Sequence, residues 1–557
     1  MRPQRPLVAR LAAPYAPRRP TETALYALVR DHLETFLAYT REQYERGLPR
    51  YVEDELRAYL KCGVFAHGFV RARCDACGHD LLVAFTCKSR TLCPSCAGRR
   101  MSNTAAAVVD RVLPDVPVRQ YVLALPWELR LLAAVKAPVL TALGRIFVDA
   151  IFASYRARAR RRGLRAAQCG AINFVQRFGS SLNLNIHFHV VVVDGVWTRS
   201  AGHGLRFHAA GQSAQAELVA IVERVRARAL AWLKRNGHID DSPQEERSQE
   251  PGEQTALEAC TAIAMARGRT LTLGAERDAN DHGTGRPGLD GAVESGGFNL
   301  HAGVSIAAGD DEGREKLCRY AARPAVSMQR FRRLRGGLVA YHLKYVRGPR
   351  AKHRIMDPME CLARLAALVP PPRYPLVRYA GVLGPRSAWR REIVPKPRGR
   401  LQPCKPPTPS ERRTGTRAGD RSEPAPLDAS RTPPADLRSG HAAITVRAEP
   451  GDVERLSANV LSVRHWDRLL GGVLYAATPR MDWARLLRRS LDVDVLKCPK
   501  CDGRLRVIAA ITEGASVARI LVHIGVPTEA PAVARARDPT DDVEGDGGEV
   551  QLELAFG

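Results

Sequence analysis

Residues 182–193, LNLNIHFHVVVV, restrict the fold more than any other stretch of the chain. Along a β-strand alternate side chains share a face. Leu184, Ile186, Phe188, Val190 and Val192 therefore fall on one side, and Asn183, Asn185, His187, His189, Val191 and Val193 on the other. Such a strand is buried on both faces, with two imidazoles pointing the same way at its polar end. Core histidines held by one hydrogen bond usually occur singly; a pair beside same-face asparagines asks for another reason. Two histidines leave several coordination positions open, as a catalytic divalent ion requires. Mg2+ or Mn2+ at His187 and His189 would polarise a scissile phosphate, and a hydrolytic zinc is the competing assignment.

Charge suggests where that phosphate comes from. The 557 residues carry 85 Lys+Arg against 58 Asp+Glu, a formal net charge of +27. An excess of this size favours polyanionic partners, nucleic acid above all. The length accommodates two to four domains. The N-terminal MRPQRPLVARLAAPYAPRRP lacks an apolar signal core, and no apolar run is read as long enough to span a bilayer, so a soluble, cytoplasmic, nucleoid-associated protein is expected.

Hydrophobic periodicity divides the chain into segments. Residues 22–60 read as two amphipathic helices, with Leu25, Leu28, Val29, Leu33, Phe36 and Leu37 on one and Val52, Leu56, Tyr59 and Leu60 on the other, separated at Pro49. A cysteine-rich module spans 61–112. A core over 113–390 contains strands VRQYVLAL, AINFVQRF and GFNLHAGVSI, a long helix with Leu140, Leu143, Phe147, Ile151 and Tyr155 inside, a helix near 213–235, and the helix DDEGREKLCRYAAR. The long helix ends in RARARRRGLR, whose six arginines exceed what helix capping needs. The polar, Gly-rich 238–296 reads as an insertion, the Pro-, Arg- and Ser-rich 391–450 as a disordered linker, and 451–557 as a C-terminal accessory region.

Thirteen cysteines, an odd number, concentrate in CxxC pairs, which favours metal over disulfides. Cys74–Cys77 and Cys93–Cys96 are two such knuckles, and together they read as one structural, closed tetrathiolate zinc site. Cys87 lies between them and is an alternative ligand, while Cys62 and His67 are candidates for a second site. Cys498–Cys501 reads as half a site with no second pair nearby in sequence. Arg99 and Arg100, beside the second knuckle, are candidate phosphate contacts.

A metal on a nucleic-acid-binding chain suggests phosphoryl transfer. If the cut strand is to be rejoined, a covalent phosphotyrosine conserves the bond energy. A phenol with the ordinary pKa of about 10 costs roughly 4 kcal/mol to ionise at neutral pH, which a nearby metal or base must offset. Tyr320 stands on a helix beside Arg319 and Arg323, both suited to phosphate. Tyr341 and Tyr345 alternate with Val339 and Leu343 as a strand would, so burial explains them equally well. Pattern alone leaves both settings open.

CDACGHDLLVAFTCKSRTLCPSCAGRRM, VRQYVLALPWELR, LNLNIHFHVVVVDGV, LCRYAARPAV and ALVPPPRYPLVRYAGVLGPRSAWR, in this order, resemble the insertion sequence 91 family of transposases, within the His-hydrophobic-His endonucleases. The resemblance covers about residues 60–390, and the CPKC tail is similar to the C-terminal region of some relatives. It implies an α+β fold, an antiparallel sheet with packed helices and the histidines on a central strand. It also implies His187 and His189 as Mg2+ or Mn2+ ligands, Cys74, Cys77, Cys93 and Cys96 as Zn2+ ligands, and Tyr320 as the residue that displaces a 3′-OH and keeps a 5′-phosphotyrosine. Its partners would be single-stranded DNA at element ends and target DNA, with no membrane. Where two-tyrosine members carry a second tyrosine four residues on, this chain has Pro324, so it resembles the single-tyrosine branch. The third metal ligand is His301 or a residue not evident in sequence; as a plain buried histidine His301 is equally well explained. The competing functions are a replication-initiator-like nickase and a non-catalytic zinc-ribbon regulator.

Overall fold

The computed structural model describes residues 18–200, 204–239, 254–266, 291–343, 352–395, 486, 488–489 and 494–538. The fold is α+β. In chain order the strands are β1 (Phe69–Cys74), β2 (Asp80–Ala84), β3 (Val118–Ala124), β4 (Gly170–Phe178), β5 (Leu184–Val193), β6 (Gly195–Ser200), β7 (Gly204–Ala209), β8 (Ala292–Ser295), β9 (Phe298–Ile306), β10 (Phe331–Arg333), β11 (Val339–His342), β12 (His353–Met356), β13 (Val377–Gly381) and β14 (Leu505–Ile511). The helices are α1 (Ala24–Gln43), α2 (Arg50–Lys61), α3 (Pro94–Arg111), α4 (Trp127–Val135), α5 (Ala137–Arg161), α6 (Gln215–Arg235), α7 (Ala256–Met265), α8 (Asp311–Ala321), α9 (Pro358–Leu368), α10 (Arg390–Ile393) and α11 (Gly514–His523).

A six-stranded sheet in the order β13-β4-β5-β3-β9-β8, antiparallel at every pairing, forms the centre. The alternation along β5 divides the core as its sequence suggests. Leu184, Ile186, Phe188, Val190 and Val192 join one cluster with Leu140, Leu143, Phe147 and Ile151 of α5. Val191 and Val193 join another, with Ala105 and Val108 of α3 and Leu317, Cys318 and Ala321 of α8. Full burial of each such aliphatic side chain contributes about 1.5–3 kcal/mol, which fixes the register, because a one-residue slip would send the histidines into the α5 layer. A buried ion pair, Arg119 Nη2 to Asp194 Oδ2 at 2.9 Å, with Tyr155 donating to Asp194 Oδ1 at 2.7 Å, ties β3, α5 and the end of β5 together.

Three expectations are revised by the structure. The 238–296 stretch is not wholly an insertion: α7 lies within it, capped by Thr255, and buries Ala256, Cys260 and Ala264 in the main core. Its small residues let it approach closely, a signal that polar flanks obscure. The helix Ala137–Arg161 is long and apolar enough to cross a membrane by length and composition, contrary to the reading above. Its apolar side is filled by core contacts, so it is the central helix of this fold. The C-terminal region is not a separate accessory: β14 pairs antiparallel with β1, in a three-stranded sheet of order β14-β1-β2. A lone apolar strand must bury its edge somewhere, and β1 offers one. The linker expected at 391–450 lies, beyond Pro395, outside the described residues, as do Tyr345 and the acidic tail.

Candidate active site

The face of the sheet opposite α5 gathers amides and imidazoles from three adjacent strands. Antiparallel register places Gln176 of β4 opposite His187 and Val122 of β3 opposite His189, with Gln120 two residues before Val122. The two imidazole centroids are 4.9 Å apart, with His187 8% and His189 2% exposed. Burial pulls His187 down to about 4, and it pulls His189 well below its ordinary value, with Arg323 adding unfavourable positive charge to both. Both rings are neutral at pH 7, the state in which imidazole binds a metal.

Hydrogen bonds set which nitrogen is offered. His187 Nδ1 lies 2.9 Å from the carbonyl oxygen of Asn185, which can only accept, so Nδ1 carries the proton and Nε2 keeps its lone pair. His189 Nδ1 lies 3.0 Å from the Gln120 side-chain amide. The two orientations of that amide are nearly isosteric; with Oε1 turned to the ring it accepts from Nδ1–H, and Nε2 of His189 is likewise a free donor to metal. That Nε2 is buried without a hydrogen-bond partner, as are Gln176 Oε1 and Asn185 Oδ1. Orphaned buried acceptors are costly unless something completes them, so two imidazole nitrogens beside amide oxygens fit a divalent cation with remaining positions for water or phosphate.

Tyr320 enters this group from α8. Its ring stands edge-on to His189 with centroids 5.5 Å apart, and the side chain is 42% exposed. The helix is held at both ends. Asp310 caps it by accepting from Gly313 N at 2.7 Å. At the C-terminus Gln176 Nε2 donates to the carbonyls of Tyr320, at 3.0 Å, and Ala321, at 2.8 Å, satisfying groups a helix end leaves unpaired. Replacing Gln176 with leucine is therefore expected to lower stability by about 1–3 kcal/mol in denaturant unfolding. An unchanged midpoint would show that those carbonyls do not depend on the amide.

One basic side chain stands against the phenol, and others lie farther off. The Arg323 guanidinium lies 5.0 Å from the Tyr320 ring centroid and 5.4 Å from that of Phe178, and no carboxylate pairs with it among the described residues. Arg130 adds positive charge felt at His187. Arg319 is engaged by Glu315 on its own helix at 2.6 Å. Arg99 and Arg100 lie on α3, away from the imidazoles in sequence and near the thiol cluster, with Arg100 donating to the Lys88 carbonyl at 3.2 Å.

The structure does not gather Cys74, Cys77, Cys93 and Cys96 into one site. Cys93 and Cys96 meet Cys62 and Cys87, and Cys74 and Cys77 meet Cys498 and Cys501. In the first cluster Cys62 Sγ lies 3.6 Å from Cys93 Sγ and 3.7 Å from Cys96 Sγ, with Cys87 3.6 Å from Cys96. Zn–S bonds of about 2.3 Å in a tetrahedron set S···S edges near 3.8 Å, so this group matches a closed zinc site. The pairing departs from sequence order because the first knuckle sits at the turn between β1 and β2, apart from the second at the start of α3, while α2 delivers Cys62 to the second. His67 joins neither cluster.

Tyr341 is buried in the main core under the Arg330 guanidinium, which leaves Tyr320 as the tyrosine at the imidazoles among the described residues. His301 shares their face opposite Val122, but β3 stands between its strand and β5, and no third His, Cys, Asp or Glu completes a ligand group there among the described residues. Gln120, Gln176 and Arg130 were missed by sequence reasoning. The glutamines had a signal: each is a polar residue inside a largely apolar strand, VRQYVLAL and AINFVQRF.

Comparison with known proteins points to transposases. Residues 170–390 match a family described as "Putative transposase", and residues 28–125 match one described as "Transposase zinc-binding domain". The first match contains both histidines and Tyr320; the second contains the whole of the first thiol cluster. The chain is also 30% identical over 167 residues to the transposase for insertion sequence element IS801 of Pseudomonas savastanoi pv. phaseolicola, a match covering 28% of this chain and 38% of that relative. No solved structure matches the chain significantly.

Proposed function

Because this chain belongs to the insertion sequence 91 family of transposases, we propose that it nicks and rejoins single-stranded DNA during rolling-circle transposition, through a 5′-phosphotyrosine at Tyr320. The observation that carries this reading is the convergence of Tyr320 with His187 and His189 on one face of the sheet, beside Arg323. The phenol oxygen of Tyr320 attacks the scissile phosphorus, the P–O3′ bond breaks, and the departing 3′-oxygen takes up a proton while the phenol loses its own. Mg2+ or Mn2+ held by Nε2 of His187 and His189 would supply Lewis-acid polarisation of the phosphate. Arg323 and Arg130 offset the charge that develops on the phosphoryl oxygens.

Rejoining is the same exchange run backwards: a free 3′-OH attacks the phosphotyrosine and returns the phenol. With Pro324 in place of a second tyrosine, Tyr320 alone carries the covalent intermediate. Arg319, Arg99 and Arg100 are the proposed further phosphate contacts, with single-stranded element ends and target DNA as partners in the bacterial cytoplasm. The cluster of Cys62, Cys87, Cys93 and Cys96 holds zinc in a purely structural role, since four thiolates leave no open position on the metal.

Covalent capture tests the reading. Incubated with single-stranded DNA from the element's ends and Mn2+ or Mg2+, the protein is expected to yield an SDS-stable adduct whose DNA-bearing peptide contains Tyr320. Zn2+ alone is expected not to support the adduct. An adduct mapping to another residue would overturn the nucleophile assignment, and binding of these DNAs with no adduct would favour the zinc-ribbon regulator.

A further inference from the structure

We infer that the chain holds a second structural zinc ion, shared between Cys74 and Cys77 near the N-terminal end and Cys498 and Cys501 more than four hundred residues later, and that this ion fastens the C-terminal region to the ribbon. The inference stands apart from the DNA chemistry proposed above and concerns a site completed by residues outside both family matches.

The geometry is that of a tetrathiolate. Cys74 Sγ lies 3.6 Å from Cys501 Sγ, and Cys77 Sγ lies 3.6 Å from Cys498 Sγ; all four sulfurs lie within 4.8 Å of one another. Those spacings match the roughly 3.8 Å edges of a zinc–sulfur tetrahedron and far exceed the 2.05 Å of a disulfide. Each CxxC turn is also built around its sulfurs. Lys500 N donates to Cys498 Sγ at 3.4 Å and Gly503 N to Cys501 Sγ at 3.3 Å, amide contacts that stabilise thiolate. A Cβ on Gly503 would stand 2.8 Å from Cys74 Sγ and 2.8 Å from Ala76 Cβ, so only glycine lets the two turns close. After the other knuckle, Gly78 takes a φ of +71°, where a side chain would be strained.

Thiols packed merely as small apolar groups explain less. The apolar cluster around them consists of Ala72, Cys74, Cys498 and Leu505, with Leu81 and Cys501 partly buried against it. A second small cluster, Phe69, Val517 and Leu521, packs farther along the same sheet, but at the thiol end so few apolar side chains leave the join to the sulfurs, and small modules of this kind depend on metal. The strand itself is well placed: residues 505–511 run antiparallel along Phe69–Cys74, ending with Leu505 opposite Cys74. Other contacts run the same way. Arg489 bridges Asp110 of α3, at 2.5 Å, and Glu315 of α8, at 2.7 Å, and Ala534 N donates to the Arg30 carbonyl at 3.0 Å. The C-terminal region is thus pinned to the helix that carries Tyr320 as well as to the ribbon.

Zinc counting decides the matter. Full-length protein purified in reducing buffer with Zn2+ is expected to contain two zinc ions per chain by elemental analysis. C498S/C501S is expected to contain one, and C62S to lose the other. Co2+ loading of the wild type should saturate at two equivalents with the d–d absorption of tetrahedral thiolate cobalt. One zinc in the wild type, or two retained in C498S/C501S, would overturn the inference. Should the variants fail to fold, wild-type protein still gives an answer. Cys77, which is exposed, and Cys501 are expected to resist alkylation with zinc bound and to react together with Cys498 after chelation. Their ready alkylation in the zinc-loaded protein would equally reject the site.

Discussion

Replacing Tyr320 with phenylalanine is expected to lower strand cleavage by at least about 10⁴-fold and to remove the covalent adduct entirely. The change deletes one oxygen from a side chain that is 42% exposed. Stability should therefore stay within about 0.5 kcal/mol of wild type, and affinity for single-stranded DNA within about twofold, since Arg323 and its neighbours remain. The ring keeps its edge-on contact with His189, so the variant separates loss of the nucleophile from loss of the site. Gel assays of cleavage, adduct formation and binding read the three effects independently. Residual cleavage at a tenth of the wild-type rate would mean that water or another residue attacks the phosphate.

Cys93→Ser is expected to be as severe for the fold as Tyr320→Phe is for the chemistry. Cys93 precedes Pro94 at the start of α3 and is fully buried against Cys62, Cys87 and Cys96. Structural zinc in small modules is worth about 10–16 kcal/mol of binding energy near neutral pH, comparable to the whole stability of an ordinary domain. Losing a ligand there should cost at least about 3 kcal/mol. The damage should also spread, because α3 runs from this cluster to pack Ala105 and Val108 against Leu317 and Cys318 of α8. Zinc content, thermal unfolding and cleavage should all fall together. Full retention of zinc and of melting temperature in C93S would show that the cluster is a packing motif and nothing more.

The sequence revealed the parts of this molecule that depend on local period and missed those that depend on encounter. The two faces of β5, the stripe on α5 and the helix bearing Tyr320 all follow from 2.0- and 3.6-residue repeats, and each occupies its expected place. The thiol partnership did not. Spacing pairs Cys74 with Cys77 and Cys93 with Cys96, but nothing local states which pair meets which, and the first knuckle sits at the turn between β1 and β2, apart from the second. Cys498 and Cys501 looked solitary because their partners lie more than four hundred residues away in sequence, brought close by the pairing of β14 with β1. Gln120 and Gln176 were passed over for a related reason: a glutamine in a strand means little until register shows which imidazole stands opposite.

The place of β5 within its sheet divides the labour of the site. Hydrogen-bonded to β4 on one side and β3 on the other, and roofed by helices above and below, it is the last part of such a fold to open. The imidazoles therefore form a stationary anvil, already shaped before any DNA arrives. The phenol rides on the last turn of an eleven-residue helix that packs on α3 and is joined to the sheet at that turn by the Gln176 amide. In the proposed reaction, the adjustments that a passing strand demands would fall on that last turn and not on the imidazoles beneath it.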